Sequence, residues 1–199
     1  MEFPLITNSF DLPILHWISD NLQCGFMDGF MKFITLFGEA GIFWIATALV
    51  CLFFRKTHKT GLAMGIALLI GLVVCNLILK KVIQRPRPYD YELEHFGVLI
   101  ELKISGLGDF SFPSGHTIAC FECATVLLFA NRKYGIAAMV LAVLVAFSRL
   151  YLYVHYPTDV ITSIVLGIGN GILSWYIAGK VYPLYADKLN RLYDKRHAA

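Results

Sequence analysis

Three short stretches hold most of the side chains that could do chemistry. The first is Lys80-Lys81-Val82-Ile83-Gln84-Arg85-Pro86-Arg87-Pro88. The second is Phe112-Pro113-Ser114-Gly115-His116. The third runs Ser148-Arg149, five residues, His155, three residues, Asp159. Pro113 suits the first turn of a helix. The N–H groups of Ser114, Gly115 and His116 would then be unpaired donors at the positive end of that helix, which is an arrangement that binds phosphate. Gly115 lets an oxyanion come close to the backbone. Lys80, Arg87 and Arg149 supply positive charge for phosphoryl oxygens. His155 and Asp159 are four residues apart. A carboxylate on one ring nitrogen fixes the tautomer and leaves the other nitrogen free to attack. His116, protonated, could donate to a leaving oxygen. These types describe phosphoryl transfer through a phosphohistidine, with no metal and no cofactor. A metal route would call for clustered carboxylates. Asp90, Glu92, Glu94 and His95 in loop 89–112 have a spacing that matches no cation loop, and they read as a solvated acidic segment.

Elements must bring these stretches together, and composition says of what kind. Of 199 residues, 57% are apolar and 16% charged, and mean hydropathy is +0.64. A soluble domain this apolar could not cover its surface with polar groups. The chain therefore reads as an all-α, polytopic membrane bundle. Residues 61–79 and 160–179 carry no charge, and each is long enough to cross about 30 Å of hydrocarbon. Residues 134–154, interrupted by Arg149, and 114–131, interrupted by His116 and Glu122, form two more spans. The run 40–54 reaches span length if its helix starts near Phe30, which puts Glu39 at membrane depth. The prediction is about five transmembrane helices. Residues 10–20 place Leu12, Leu15, Trp17 and Ile18 near one face and read as an N-terminal interfacial helix, with Pro13 in its first turn.

Lys and Arg set the orientation. They gather in 55–59, in 131–133 and after Lys180 (Lys188, Arg191, Lys195 and Arg196 among them), so those segments and the C-terminus are expected in the cytoplasm. The three chemical stretches then face outward together. The net charge of +3 gives no footprint for nucleic acid. The first 20 residues hold Glu2, Asp11 and Asp20 without Lys or Arg, the wrong charge for a signal peptide. The five cysteines read as small apolar filler.

The three stretches resemble the type 2 phosphatidic acid phosphatase superfamily, which includes lipid phosphate phosphatases and vanadium haloperoxidases. Its first motif is Lys, six residues, Arg-Pro, here Lys80 and Arg87-Pro88. Its second is Pro-Ser-Gly-His, here Pro113 to His116. Its third is Ser-Arg, five residues, His, three residues, Asp, here Ser148-Arg149, His155 and Asp159. Every specified position matches, in order. The resemblance implies one membrane phosphatase domain over 1–199, with an interfacial segment 1–30 and a catalytic region 80–159. It implies His155 as nucleophile, Asp159 as its orienting partner and His116 as general acid. Lys80, Arg87, Ser114, Gly115 and Arg149 would hold the phosphate. The haloperoxidase branch is soluble and much larger, so the spans favour the membrane phosphatases. An outward site favours undecaprenyl pyrophosphate as the lipid substrate. Dedicated undecaprenyl pyrophosphatases often carry Asp where Gly115 stands, so a phosphatidylglycerol phosphate or broad phosphatidic acid phosphatase is the alternative. A non-enzymatic lipid transporter is the alternative of another class, and the chain shows no inverted repeat to support it.

Some residues keep two readings from sequence alone. Arg85 either meets a second phosphate or faces solvent. Glu122 is either paired or neutral in the bundle, or part of the site. Asn76 either supports Lys80 or bridges helices. Gly167, Gly169 and Gly171 are expected to let helices pack closely. His16 and His95 show no partner.

Overall fold

The computed structural model describes the backbone of residues 4–197 and the side chains of residues 5–184 and Ala186. In chain order its longer helices are α1 (Leu12–Leu22), α2 (Gly25–Thr35), α3 (Ile42–Phe53), α4 (His58–Leu72), α5 (Pro88–Phe96), α6 (Gly115–Ala130), α7 (Arg132–Tyr151) and α8 (Pro157–His197). Among the described residues, four helical stretches are long and apolar enough to cross a bilayer: Gly25–Phe53, His58–Phe96, Arg132–Tyr151 and Pro157–Leu184. A fifth apolar helix, α6, is shorter.

α6 spans about 24 Å, less than the roughly 30 Å hydrocarbon thickness. It packs against α4, α7 and α8. A helix apolar on all sides belongs in such a position. Cys120, Phe121, Cys123, Ala124 and Val126 meet Ala63, Met64 and Ala67 of α4 and Ala142, Val145 and Ala146 of α7 in one core. The cysteines there are unoxidised and buried, as filler should be. α8 approaches α6 closely at two glycines. A Cβ on Gly167 would stand 2.9 Å from Phe121 Cβ, and one on Gly171 2.6 Å from the Glu122 carbonyl oxygen. Gly169 points elsewhere and meets nothing within 4 Å, so the sequence expectation holds for two of the three.

Asn131 alone separates α6 from α7. Its side chain accepts from the N–H of Lys133 (3.0 Å) and Tyr134 (3.3 Å), a cap that contributes about 1 kcal/mol and makes the two helices antiparallel neighbours. At membrane depth, Asn170 of α8 donates to the Glu122 carboxylate (2.5 Å) and to the Ala67 carbonyl (2.9 Å). One amide thus ties α4, α6 and α8 together and partners a buried acid.

α1 begins earlier than its proline suggested. Helical backbone starts at Pro4 and passes through π-helical turns at Thr7–Asp11 before Leu12. Pro13 lacks the N–H that a regular helix would use, and the wider turns lie just ahead of it. Leu12 and Leu15 pack on Tyr91, Tyr153 and Tyr156, and Ile18 on Leu152 and Val154. Each such side chain contributes about 1.5–3 kcal/mol by burial. Trp17 points outward, 57% exposed. Loop 89–112 also differs from expectation, because its first part is helix α5. Pro88 opens α5, and Gly97, at φ 67°, closes it. Glu92 is buried, accepts from the Tyr153 hydroxyl (2.9 Å) and lies 2.6 Å from His16 Nε2. A 76-residue separation hid that partner. Glu2 and the side chains of Lys188, Arg191, Lys195 and Arg196 lie outside the described residues.

Candidate active site

The site lies where four helix ends meet. α4 continues through π-helical turns Val73–Leu79 to a last turn, Lys80–Ile83, and Gln84, at φ 50°, ends it. α6 starts at Gly115, α7 ends at Tyr151 and α8 starts at Pro157. A cavity of about 760 Å³ opens at this junction. Lys80, Arg87, Gly115, His116, Arg149 and His155 line its polar end. Its walls then run down α3 and α4 past Ile45, Leu49, Leu52, Ile66 and Leu69, with Glu122 on the α6 side. Asn76 lines it too.

Ser114 and Asp159 are brought to the junction but not to the cavity wall. The structure moves the start of α6 past Pro113: Ser114 is the N-cap, and Gly115 is the first helical residue. The Ser114 hydroxyl accepts from the Thr117 hydroxyl (2.9 Å), and its N–H donates to Ser163 Oγ (2.8 Å). That donor is therefore occupied within the protein. The N–H groups of Gly115 and His116 keep the first-turn positions that leave backbone donors outside the helix's own ladder. Ser148 bonds the Val145 carbonyl of its own helix (2.6 Å) rather than the site.

His155 is wholly buried in the turn between α7 and α8. Tyr153, at φ 60°, makes that turn tight. The two ring nitrogens face different surroundings. Nε2 lies 3.4 Å from an Arg87 nitrogen at the cavity. Nδ1 lies 3.6 Å from Asp159 Oδ2 and 3.5 Å from Ser111 Oγ. The Ser111 hydroxyl donates to Asp159 Oδ2 at 2.5 Å. The spacing of His155 and Asp159 predicts a direct carboxylate–imidazole bond; the structure inserts Ser111 into it. Burial, and then the charges of Arg87, Arg149 and Lys80, hold the His155 imidazole well below the usual histidine range. The ring is neutral at pH 7, with a lone pair available.

Arg85 overturns both sequence readings, since it meets neither solvent nor the cavity. It is buried and bonds Asp159 Oδ1 (2.6 Å), Asp11 Oδ2 (2.6 Å), Thr7 Oγ1 (2.9 Å) and Thr158 Oγ1 (2.8 Å). Its guanidinium lies 3.7 Å over the Tyr156 ring. Asp159 also accepts from the Tyr156 N–H (3.1 Å) at the start of α8, where helix-end donors favour a carboxylate. Sequence reasoning missed Asp11, Thr7 and Ser111. The signal for Asp11 was a pair of polar residues four apart, Thr7 and Asp11, on one face of an apolar helix.

The cations at the cavity have different partners. Arg87 donates to the Val154 carbonyl (2.7 Å) and the Asp109 carbonyl (2.8 Å). The Asp109 carboxylate pairs with both Arg87 and Lys80. Burial alone would raise the Asp109 pKa, but bonds from Lys80 and Arg87 outweigh it and bring it down to about 2. Arg149 is buried and donates to Thr35 Oγ1 (2.6 Å). Its Nε finds no hydrogen-bond partner among the described residues. A buried guanidinium with a donor to spare beside a cavity suits an anion.

Helices enough to cross a bilayer, and a cationic cradle with a neutral histidine at one end of them, define a multi-pass membrane protein built to handle an anionic headgroup. The profile of the PAP2 superfamily matches residues 60–183, and the chain belongs to that superfamily. It is 32% identical to an undecaprenyl-diphosphatase of Sulfolobus acidocaldarius, over 83% of this chain and 77% of that protein. It is 31% identical to undecaprenyl-diphosphatase BcrC of Bacillus subtilis, over 84% and 83%. The crystal structure of a transmembrane PAP2-type phosphatidylglycerolphosphate phosphatase from Bacillus subtilis superposes with a TM-score of 0.68 at 28% identity, over 88% of this chain and 87% of that one.

Proposed function

We propose that the chain is an integral membrane lipid phosphatase that converts undecaprenyl pyrophosphate to undecaprenyl phosphate through a phosphohistidine. The observation that carries this is one cavity with two chemistries. Its polar end suits a phosphoryl group, and its apolar walls along α3 and α4 suit a lipid chain that never leaves the bilayer. His155 Nε2 attacks phosphorus, and Asp159 with Ser111 holds the other nitrogen. Lys80, Arg87, Arg149 and the Gly115 N–H neutralise charge on the phosphoryl oxygens, the kind of stabilisation on which phosphoryl transfer depends. His116 gives its proton to the leaving oxygen. We read residues 1–199 as one phosphatase domain whose catalytic region is 80–159.

The site is read as facing outward. Lys59, whose ammonium lies 4.0 Å over the Trp175 ring, marks a basic end of the bundle opposite the site, and Lys and Arg favour the cytoplasm. A second reading, hydrolysis of phosphatidylglycerol phosphate or phosphatidic acid, is supported by Gly115. A Cβ there would meet only Cys75 Sγ at 3.7 Å and Asn76 Oδ1 at 3.9 Å. Packing therefore leaves room for a side chain, and its absence leaves space for a bulkier headgroup.

The test is phosphate release by purified protein in detergent with EDTA, offering the three lipids in parallel. A preference for the pyrophosphate is expected. Equal rates on all three would move the assignment to the second reading. His155→Ala should lower release by several orders of magnitude without unfolding the protein, and release that persists would rule out the phosphohistidine.

A further inference from the structure

Glu39 lies outside all three motifs and outside the superfamily match, yet the chain bends sharply to deliver it. After α2 the backbone tightens into a 3₁₀ turn, Leu36–Gly41, and then breaks. Glu39 is extended at ψ 118°, while Ala40 (φ 47°) and Gly41 (φ 66°) are left-handed. The left-handed conformation costs a residue such as alanine roughly 1–2 kcal/mol. Strain of this kind persists where surrounding structure holds it, often at functional sites. Here the break presses two residues onto His116. Gly38 lies flat against it: a Cβ at that position would stand 2.7 Å from His116 Cδ2. The Glu39 carboxylate is 3.2 Å from His116 Nε2. Both residues line the cavity with Lys80, Arg87, Arg149 and His155.

We infer that Glu39 is a positioning residue for His116, holding its ring and countering the positive charge of its proton-donating form. This rests on the reading of His116 as the proton donor. A protonated His116 would stand among three cations, Lys80, Arg87 and Arg149, and like charges disfavour one another at such range. A carboxylate in contact with the ring offsets them. In the first step, His155 Nε2 bonds to phosphorus and the bond from phosphorus to the leaving oxygen breaks. Its electron pair stays on that oxygen, which takes the His116 proton. Water then attacks the phosphohistidine, the phosphorus–nitrogen pair returns to His155, and the water's proton goes to His116. Glu39 stays a carboxylate throughout.

The consequence is a dependence on the leaving group. A general acid matters most when the departing oxygen is strongly basic. The experiment compares kcat/KM, which covers the steps through departure of the leaving group, for short-chain phosphatidic acid and for p-nitrophenyl phosphate. The first releases a basic alkoxide and the second a weakly basic phenolate. Glu39→Gln should lose about tenfold or more on phosphatidic acid and under about threefold on the aryl ester. Gly38→Ala, which pushes the His116 ring aside, should show the same asymmetry and serves if Glu39→Gln does not fold. Equal losses on both substrates, or no loss, would overturn the inference. His155→Ala run beside them separates the two failures: activity surviving in that variant sinks the phosphatase mechanism itself, whatever Glu39 does.

Discussion

The two sides of His155 are built differently. Behind it, Asp159, Ser111, Arg85, Asp11 and Thr7 are all buried and joined by bonds of 2.5–2.9 Å. In front, Arg87, Lys80, Arg149 and His116 line a cavity, and the carboxylates that pair with three of them reach open space: the Asp109 side chain is 54% exposed and that of Glu39 60%. The rear network fixes the geometry of the His155 ring before any substrate arrives. The front is arranged around charges that a phosphoryl group can replace. Preorganisation therefore resides behind the ring and adaptability ahead of it, the division that the proposed mechanism requires of His155.

The largest effect that separates the two sides should come from Arg85→Met. Asp11 and Asp159 are both fully buried, and Arg85 bridges them. Removing one partner of a buried ion pair typically costs about 3–5 kcal/mol, because it strands charge away from water. Lys80→Met in front should leave the unfolding temperature nearly unchanged and raise KM instead. Thermal unfolding in detergent decides between them. If Arg85→Met melts with the unmodified protein, the rear network is not the rigid side.

A gentler break is Asp11→Asn, which keeps shape but removes charge. The stability loss should be about 1–3 kcal/mol. Asp11 touches no reacting atom and acts through Arg85 on Asp159, so kcat should fall about tenfold with KM unchanged. A rise in KM alone would place Asp11 in binding rather than in holding the nucleophile.

This contrast also explains what the sequence could reveal. The spans were legible because charge-free runs of about 20 residues have few other uses. The front of the site was legible because Lys80, Arg87, His116 and Arg149 sit at helix ends that topology must bring to one side. The rear was not. Arg85 and Asp11 are 74 residues apart, and their meeting depends on α1 folding back over the turn at Tyr153. Spacing along the chain carries no record of that. Ser111 lies beside a motif, but nothing in its type told that it would stand between His155 and Asp159. Glu39 was visible only as an acid at an awkward depth. The glycine-flanked break that aims it at His116 needed backbone angles to be seen.

On the front side, Asp109→Asn should tighten binding of vanadate. Asp109 competes with any oxyanion for Lys80 and Arg87, and its carboxylate, brought down to about 2, stays charged throughout the working pH range. The pairing is present above the ordinary carboxylate value and is lost only as pH falls toward 2, so the competition cannot be relieved by mild acid. Half-exposed pairs are weak, so the gain in vanadate affinity should be about two- to fivefold. Weaker binding in the variant would mean that Asp109 orders the two cations for phosphate instead of competing with it.

The smallest expected effect is an absence of titration, and it joins the two sides. Burial first, then Arg87, Arg149 and Lys80, hold His155 well below the usual 6.5. The folded protein therefore carries fewer protons at this ring than the unfolded chain does below about pH 6.5, and the resulting stability penalty grows as pH falls beneath that value. Above it the ring is neutral in both states and contributes no slope. A histidine NMR signal assigned by its loss in His155→Ala should keep its neutral shift from pH 8 down past 6. A midpoint near 6.5 would show that the front cations do not govern the His155 ring. Sulfate sharpens the test, since an oxyanion seated on Lys80, Arg87 and Arg149 offsets the charges that depress the ring without taking a bond from Nε2. The midpoint should then move upward, while the bonds behind Asp159 stay as they are. An unchanged midpoint with sulfate bound would assign the depression to burial alone and separate the two sides of His155 electrostatically.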